Sequence, residues 1–383
     1  MSRVLRSFTD YIKRADKLFW LISIAIAIYG LILVKSVSRA TEVNYFKTQL
    51  IAVLIGYAVA IFLTLIDYRA IANYWWLIAG FCIFLIIYTR IFGIAAEGGG
   101  GVNAKAWIKI PGGTFQPSEL VKIGFLITFS KHLSVLKEND LLKRPLQILL
   151  LGAHALIPIA LVHQQGDDGA GVIFFCMFLA MAFAAGVQLR YFAGLFAAIL
   201  IAVPLAWKYV LQDYQKSRFT IVYNLASDPL GKGLQQLQGQ LSIGSGQFWG
   251  RGLFNGPRVE RGNVPIQQSD FIFSVAGEEL GFIGCTLIIL LLFLLLIRTL
   301  HDARKSCDSM GTYICFGFFG MIAAQAIFNL GMCLNLLPVM GVTLPFFSAG
   351  GSSAMCLYFG FGLVQNVYMH RNDGEKVKVK IHR

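Results

Sequence analysis

The run Gln268-Ser269-Asp270-Phe271-Ile272-Phe273 sets an aspartate where a long polar segment meets an apolar helix, and Glu278 and Glu279 follow inside that helix. Ionisable side chains at membrane depth are costly and by default mark a transport path or a catalytic site. The alternative for Asp270 is that its side chain merely caps the helix, as aspartate often does. On an uninterrupted helix from Phe271 to Ile297, Glu278 lies about 80° around from Asp270, and Glu279 is nearly opposite. The wheel favours Glu278 for a cavity shared with Asp270 and a structural role for Glu279.

Four further clusters carry polar chemistry. In Gln116-Pro117-Ser118-Glu119-Leu120-Val121-Lys122, proline suits the first helical turn, and Glu119 can pair with Lys122 three residues on. That pair reads as part of a site or as a structural ion pair. Lys105, Trp107 and Lys109 upstream add cations and an interfacial aromatic, while Gly98–Gly101 reads as a spacer. Asp167 and Asp168 are adjacent acids that could hold a hard cation such as Mg²⁺ or Mn²⁺, or mark a solvated turn. The segment from Leu336 to Ser353 holds two prolines and several glycines, predicting non-helical backbone that survives only when buried or lining a cavity. The segment 212–269 carries Lys216, Arg218, Lys232, Arg251, Arg258 and Arg261. Its glycine-dense run Gly244–Gly252 could cradle phosphate oxygens or serve as a flexible linker.

These groups need a scaffold, and composition supplies its class. Of 383 residues, 56% are hydrophobic and 14% charged, against roughly 25% charged in soluble domains. Apolar stretches long enough to span a bilayer recur near 18–37, 47–66, 71–93, 117–134, 146–163, 170–187, 191–211, 271–297, 311–333 and 351–369. They predict an all-α polytopic membrane protein of about ten transmembrane helices, with the 212–269 segment between the seventh and eighth. Counted this way, the N-terminal basic residues, Arg69, Lys137, Lys143, Arg144, Arg190, Arg298, Arg304, Lys305 and the C-terminal basic residues share one side. The positive-inside rule makes that side, and both termini, cytoplasmic. The net charge of +13 is then largely a topology signal and no sign of nucleic-acid binding. The apolar run after Lys17 is too long for a signal peptide and reads as a retained anchor. Seven cysteines without C-x-x-C spacing and six histidines without paired spacing predict neither disulfides nor a His or Cys metal site.

The segments Gln116-Pro117-Ser118-Glu119, Asp228-Pro229 with Gly231, Ser269-Asp270-Phe271-Ile272-Phe273, Glu278-Glu279-Leu280-Gly281 and Gly350-Gly351-Ser352-Ser353 share an order. Together, over essentially the whole chain, they resemble the SEDS family of bacterial membrane glycosyltransferases. Asp67-Tyr68-Arg69 and the short tails lean towards its elongation branch, with the division and sporulation branches next. The sequence departs from the family pattern at Ala106, where many members carry a polar residue, often Arg. Gly166 and Asp168 replace the usual Pro and Leu, and Ala349 replaces a common Tyr.

The resemblance implies one membrane domain over 1–383, with cytoplasmic tails at 1–17 and 371–383 and an outer loop at 212–269. It implies polymerisation of lipid II, an undecaprenyl-pyrophosphoryl disaccharide-pentapeptide, into glycan strands. An α-linked donor and a β-1,4 product need one inversion, hence a single displacement with one carboxylate base, and Asp270 takes that role. Lys122, Arg218, Lys232 and Arg258 would meet the pyrophosphate charge, with Glu119 orienting Lys122. Trp107, Gln235, Gln238, Glu278, Ser348 and Ser352 would contact substrate. Asp167 would support the site, with Mg²⁺ or Mn²⁺ as the one cofactor expected. The implied partners are a class B penicillin-binding transpeptidase and the elongation machinery. A lipid II flippase also suits ten spans with charges inside, although no pseudo-symmetric halves are visible.

Overall fold

A computed structural model describes residues 11–95, 105–110, 113–209, 211, 213–223 and 232–373. The spacer at Gly98–Gly101 and the motif residues Asp228, Pro229 and Gly231 lie outside these. Helices α1 (Lys17–Arg39) and α2 (Tyr45–Leu65) lead through a short α3 (Tyr68–Asn73) into α4 (Trp75–Phe92). An antiparallel sheet of β1 (Ile94–Ala95), β2 (Lys105–Ile110) and β3 (Gly113–Phe115) follows, which the sequence pattern did not suggest. Then come α5 (Pro117–Glu138), α6 (Pro145–Gln164), α7 (Asp168–Ala185) and α8 (Leu189–Tyr209). The segment expected to be one loop contains α9 (Asp213–Tyr223), α10 (Lys232–Ser245) and α11 (Pro257–Glu260). The chain closes with α12 (Ile272–Lys305), α13 (Ser309–Cys333) and α14 (Gly351–Met369).

Eight of these helices are long and apolar enough to cross a membrane: α1, α2, α4, α6, α7, α8, α12 and α13. The two remaining long helices, α5 and α14, occupy spans the sequence predicted but are less apolar. Their position explains it. Most residues of both are buried against other helices, so they face protein and can carry polar groups that lipid would exclude. At the other extreme, α8 buries none of its residues. One buried apolar cluster runs from Phe19 on α1 to Val367 on α14, tied by aromatic contacts such as Phe19 stacked on Phe361 at 4.4 Å.

The predicted helix Phe271–Ile297 is longer than expected and it is broken. Gly281 sits at φ 64° and ψ −156°, a backbone region that only glycine adopts without strain. A break there strips the helix of the bonds from Phe282 N–H to the Glu278 carbonyl and from Ile283 N–H to the Glu279 carbonyl. The glycine-dense run takes over all four groups. Arg251 N–H donates to the Glu278 carbonyl at 2.9 Å and Gly252 N–H to the Glu279 carbonyl at 3.0 Å. In return Phe282 N–H donates to Gln247 O at 2.9 Å and Ile283 N–H to Phe248 O at 3.4 Å. A free backbone group at this depth would cost several kcal/mol. The run 244–252 is therefore neither a flexible linker nor a phosphate cradle. It is a clamp that completes a broken helix.

Candidate active site

Asp270 does not cap α12. The helix has Phe271 at its N-cap position with no side-chain cap bond, which removes the structural alternative for the aspartate. Its carboxylate instead takes one described bond, from Ser269 Oγ to Oδ1 at 3.0 Å. The backbone is what is fixed: Asn329 Nδ2 donates to the Asp270 carbonyl at 2.9 Å and to the Val342 carbonyl at 2.8 Å. Asn329 itself is fully buried on α13. Asp270 keeps partial solvent access while protein surrounds its carboxyl. Burial pushes that carboxyl up to about 6, against the opposing pull of the Ser269 hydroxyl.

From Asp270 hydrogen bonds joined by short stretches of backbone reach the other polar clusters. Ser348 Oγ donates to the Ser269 carbonyl at 2.5 Å and accepts from Leu344 N–H at 2.8 Å. Gln49 on α2 donates to the Ser348 carbonyl and accepts from Gly350 N–H, each at 3.0 Å. Two residues on, Ser352 Oγ accepts from Gln116 N–H at 3.0 Å and donates to Thr114 O at 3.3 Å. Gln116 Nε2 and Ser118 Oγ then donate to Asp167 Oδ2 at 2.8 and 2.9 Å. The non-helical segment before α14 is buried in protein, as its prolines and glycines predicted, with Val339, Val342, Leu344, Phe346 and Phe347 inside. The N-terminal ends of α5, α7, α12 and α14 meet through these bonds, and each end presents partial positive charge to the space between.

Glu119 and Lys122 pair at 2.9 Å within α5, with Lys122 only 2% exposed. A buried pair of this kind is held by its geometry, because removing either member strands the other. Trp107 lies half-buried on β2 opposite Ile94. Arg258 and Gln238 are brought together: the guanidinium bonds Gln238 Oε1, and its Nε donates to Ser242 Oγ at 3.1 Å. Gln235 is half-buried on α10. The side chains of Arg218 and Lys232 lie outside the described residues.

Two expectations need correction. Glu278 does not share an open cavity with Asp270: it is fully buried, and its Oε1 accepts from Arg258 N–H at 2.7 Å. The helical wheel fails here because Asp270 precedes the helix it was counted on. Glu279 holds Ser36 Oγ of α1 at 2.5 Å, in keeping with a structural role. Asp167, the candidate metal ligand, has other work. Its Oδ1 caps α7 through Ala170 N–H at 3.0 Å, and its Oδ2 carries the two bonds from Gln116 and Ser118. Asp168 turns instead to the exposed His163 at 2.6 Å. The two acids thus diverge, and among the described residues no three ligand side chains gather here. This donor set does not fit a bound Mg²⁺ or Mn²⁺.

Sequence reasoning missed Asn329, Gln49 and Gln236. Gln236 is fully buried and donates to the Leu337 carbonyl at 3.0 Å, pinning α10 to the segment after α13. Gln49 is the one amide in apolar α2, Asn329 follows Gln325 by one turn on α13, and Gln236 sits among Gln235, Gln238 and Gln240 on α10, so amide type alone does not single out the three.

The family profile described as "Cell cycle protein", FtsW/RodA/SpoVE, matches residues 16–373. A probable peptidoglycan glycosyltransferase FtsW from Geobacter sulfurreducens is 32% identical, over 93% of this chain and 95% of its own length. The peptidoglycan glycosyltransferase MrdB of Escherichia coli is 28% identical over 96% of each chain. Among solved structures, a chain from a peptidoglycan synthase complex superposes with a TM-score of 0.80 at 28% identity, covering 93% of this chain and 98% of that one. The rod shape determining protein RodA of Thermus thermophilus gives 0.69 at 26% identity, over 93% of this chain and 97% of its own. With nearly the whole sequence matched and the bundle reproduced, this chain belongs to the SEDS family of FtsW, RodA and SpoVE proteins.

Proposed function

We propose that this protein is a peptidoglycan glycosyltransferase that polymerises lipid II, with Asp270 as the general base. The observation that carries the reading is the hydrogen-bonded chain running from Ser269 through Ser348, Gln49, the Gly350–Ser352 backbone and Gln116 to Asp167. It gathers four helix N-termini beside a carboxylate that no helix uses as a cap. In the reaction the acceptor 4-hydroxyl gives its proton to Asp270 as its oxygen bonds the donor's anomeric carbon. The bond from that carbon to the pyrophosphate breaks in the same displacement, and undecaprenyl pyrophosphate leaves with the electron pair. One displacement turns the α-linked donor into a β-linked product. Pyrophosphate leaves readily, so the site needs positive charge more than a general acid; the helix N-termini, Arg258 and the Glu119-held Lys122 supply it. A carboxylate whose pKa is near 6 is mostly ionised at neutral pH and more basic than an ordinary aspartate.

The reaction end would face the extracytoplasmic side. The opposite end collects Arg69, Lys137, Lys143, Arg144, Arg298, Arg304 and Lys305, the pattern of a cytoplasmic surface. A class B transpeptidase is the natural partner, and the solved relative coordinates polymerisation with crosslinking. Asp67-Tyr68-Arg69 favours elongation over division; relatives bearing FtsW, MrdB and SpoVE names all lie at 28–32% identity. Restoring rod growth in cells depleted of their elongation polymerase, and no division in cells depleted of the other, would support that branch. The activity is tested with purified protein, its transpeptidase and lipid II. Long glycan from wild type and none from Asp270→Asn supports the reading. Transbilayer movement of lipid II by both proteins, with no glycan from either, would replace it by a flippase.

A further inference from the structure

At the far end of α12 from Asp270, Asp16 meets the adjacent residues His301 and Asp302. Ligand atoms of Asp16, His301 and Asp302 all lie within 4.8 Å of one another. Asp302 is fully buried and Asp16 is 2% exposed. Arg298 binds Asp16 with both ends of its guanidinium, Nη2 to Oδ1 at 3.0 Å and Nε to Oδ2. Asp16 Oδ1 also caps α1 through Leu18 and Phe19 N–H at 3.0 and 3.3 Å. That leaves Asp302. Its Oδ1 faces His301 Nδ1 at 3.1 Å, while its Oδ2 is buried with no hydrogen-bond partner. Arg371, the other nearby guanidinium, is spent on the carbonyls of Arg14 and Tyr368 at 2.9 and 2.8 Å. Two buried carboxylates therefore share one directly paired arginine, and one oxygen of Asp302 remains without a hydrogen-bond partner. A buried, half-satisfied carboxylate is strongly unfavourable unless a cation or a proton completes it.

We propose that Asp16, His301 and Asp302 form a binding site for a divalent transition-metal ion of the Zn²⁺ or Mn²⁺ class. One imidazole and two carboxylates are a borderline nitrogen and oxygen donor set that suits these ions. Ligands held at about 2.1 Å from one ion lie at most about 4.2 Å apart, so a slight rotamer adjustment closes the site. Arg298 is the outer partner that orients the Asp16 carboxylate. The His301 ring, 37% exposed, gives the ion an entry path. Because Asp16 caps α1 and the other two ligands end α12, the bound ion fastens the start of the first helix to the end of the twelfth. No spacing motif could announce this, since Asp16 lies 285 and 286 residues before the adjacent His301 and Asp302. The site is remote from Asp270 and stands or falls independently of the polymerase reading.

The test uses the full chain, free of any histidine tag, in detergent micelles, titrated separately with Zn²⁺ and with Mn²⁺. The expected result is one equivalent bound with a raised unfolding midpoint. His301→Gln and Asp302→Asn should each weaken binding by roughly 10- to 100-fold. Both variants should still polymerise lipid II as wild type does. Should Asp302→Asn fail to fold, the half-exposed His301→Gln decides alone. Failure of wild type to bind either metal overturns the proposal and leaves a proton shared between the carboxylates. Unchanged binding in His301→Gln overturns it too, as would loss of binding in His154→Gln, which would place the ion at the His132–His154 contact of 3.1 Å.

Discussion

Asp270 and Glu278 stand eight residues apart on one stretch of chain, and the fold treats them oppositely. Asp270 has its backbone clamped and its carboxylate left with one serine hydroxyl. Glu278 has its carboxylate aimed at the first turn of α11, fully buried, beside a helix break sealed by a second strip of backbone. Both acids satisfy the rule that ionisable groups at depth are functional, yet the rule does not say which function. The partners do. A side chain held by its main chain and left free at its tip is available for chemistry; one held by its tip is holding the protein.

The comparison breaks first on activity. Asp270→Asn keeps the shape and the serine contact but cannot accept a proton, and removing a general base costs about 10²- to 10⁴-fold. Glycan synthesis by that variant should fall at least a hundredfold. Glu278→Gln retains an oxygen for Arg258 N–H and should stay within about threefold of wild type, the small effect expected when a bond's acceptor is kept. Equal losses from the two changes would erase the distinction drawn between them.

The next largest effect is on stability. Gly281→Ala places a Cβ 2.4 Å from Gly250 N in a backbone region closed to other residues. Strain of this kind costs roughly 1–3 kcal/mol before the clash is added. The variant should unfold at a clearly lower temperature or fail to accumulate in the membrane. Gly250→Ala should do the same from the other side, because its φ is 84° and its Cβ would lie 2.2 Å from the Glu279 carbonyl. A silent result at both positions would mean that the clamp on the break is not needed.

How much of this could be read beforehand divides along the same line. The spans were legible because lipid imposes a length and an apolarity on each helix; α5 and α14 were found as well, despite their polar residues. Asp270 was legible because an acid at the mouth of an apolar run has few reasons to be there. The break at Gly281 was not, since Leu280-Gly281-Phe282 continues the apolar run, and glycine is common inside membrane helices. Its cause lies some thirty residues upstream, in the backbone of a run that by composition reads as a linker. The clamp residues Asn329 and Gln49 were equally silent. One or two amides in an apolar helix do not reveal their partners, because each partner is a carbonyl that any residue type could supply.

A pH profile sharpens the account of Asp270 further. The ionised carboxylate is the active form, so with a value near 6 polymerisation should be half-maximal at about pH 6. It should then drop about tenfold per unit below that, and level off above pH 7. An ordinary aspartate, with a value of about 3.9, would hold full activity down to roughly pH 5. Activity undiminished at pH 5 would show that the protein has not raised this carboxyl at all.

The smallest effect separates chemistry from folding. A carboxyl whose value is raised in the folded state binds its proton more tightly there than in the unfolded chain. The resulting stability is complete below the unfolded value and is lost as pH rises through about 6. At pH 8 wild type therefore carries a charge that its surroundings disfavour, and Asp270→Asn does not. The variant should unfold at the same temperature as wild type or slightly above it at pH 8, with the difference shrinking by pH 5. Glu278→Leu should shift the other way, because it strands the Arg258 N–H at a cost of about 1–3 kcal/mol. A dead enzyme that is no less stable than its parent is what a free-tipped acid predicts. If Asp270→Asn instead melts well below wild type at pH 8, the carboxylate is holding the protein after all, and Asp270 joins Glu278 on the structural side.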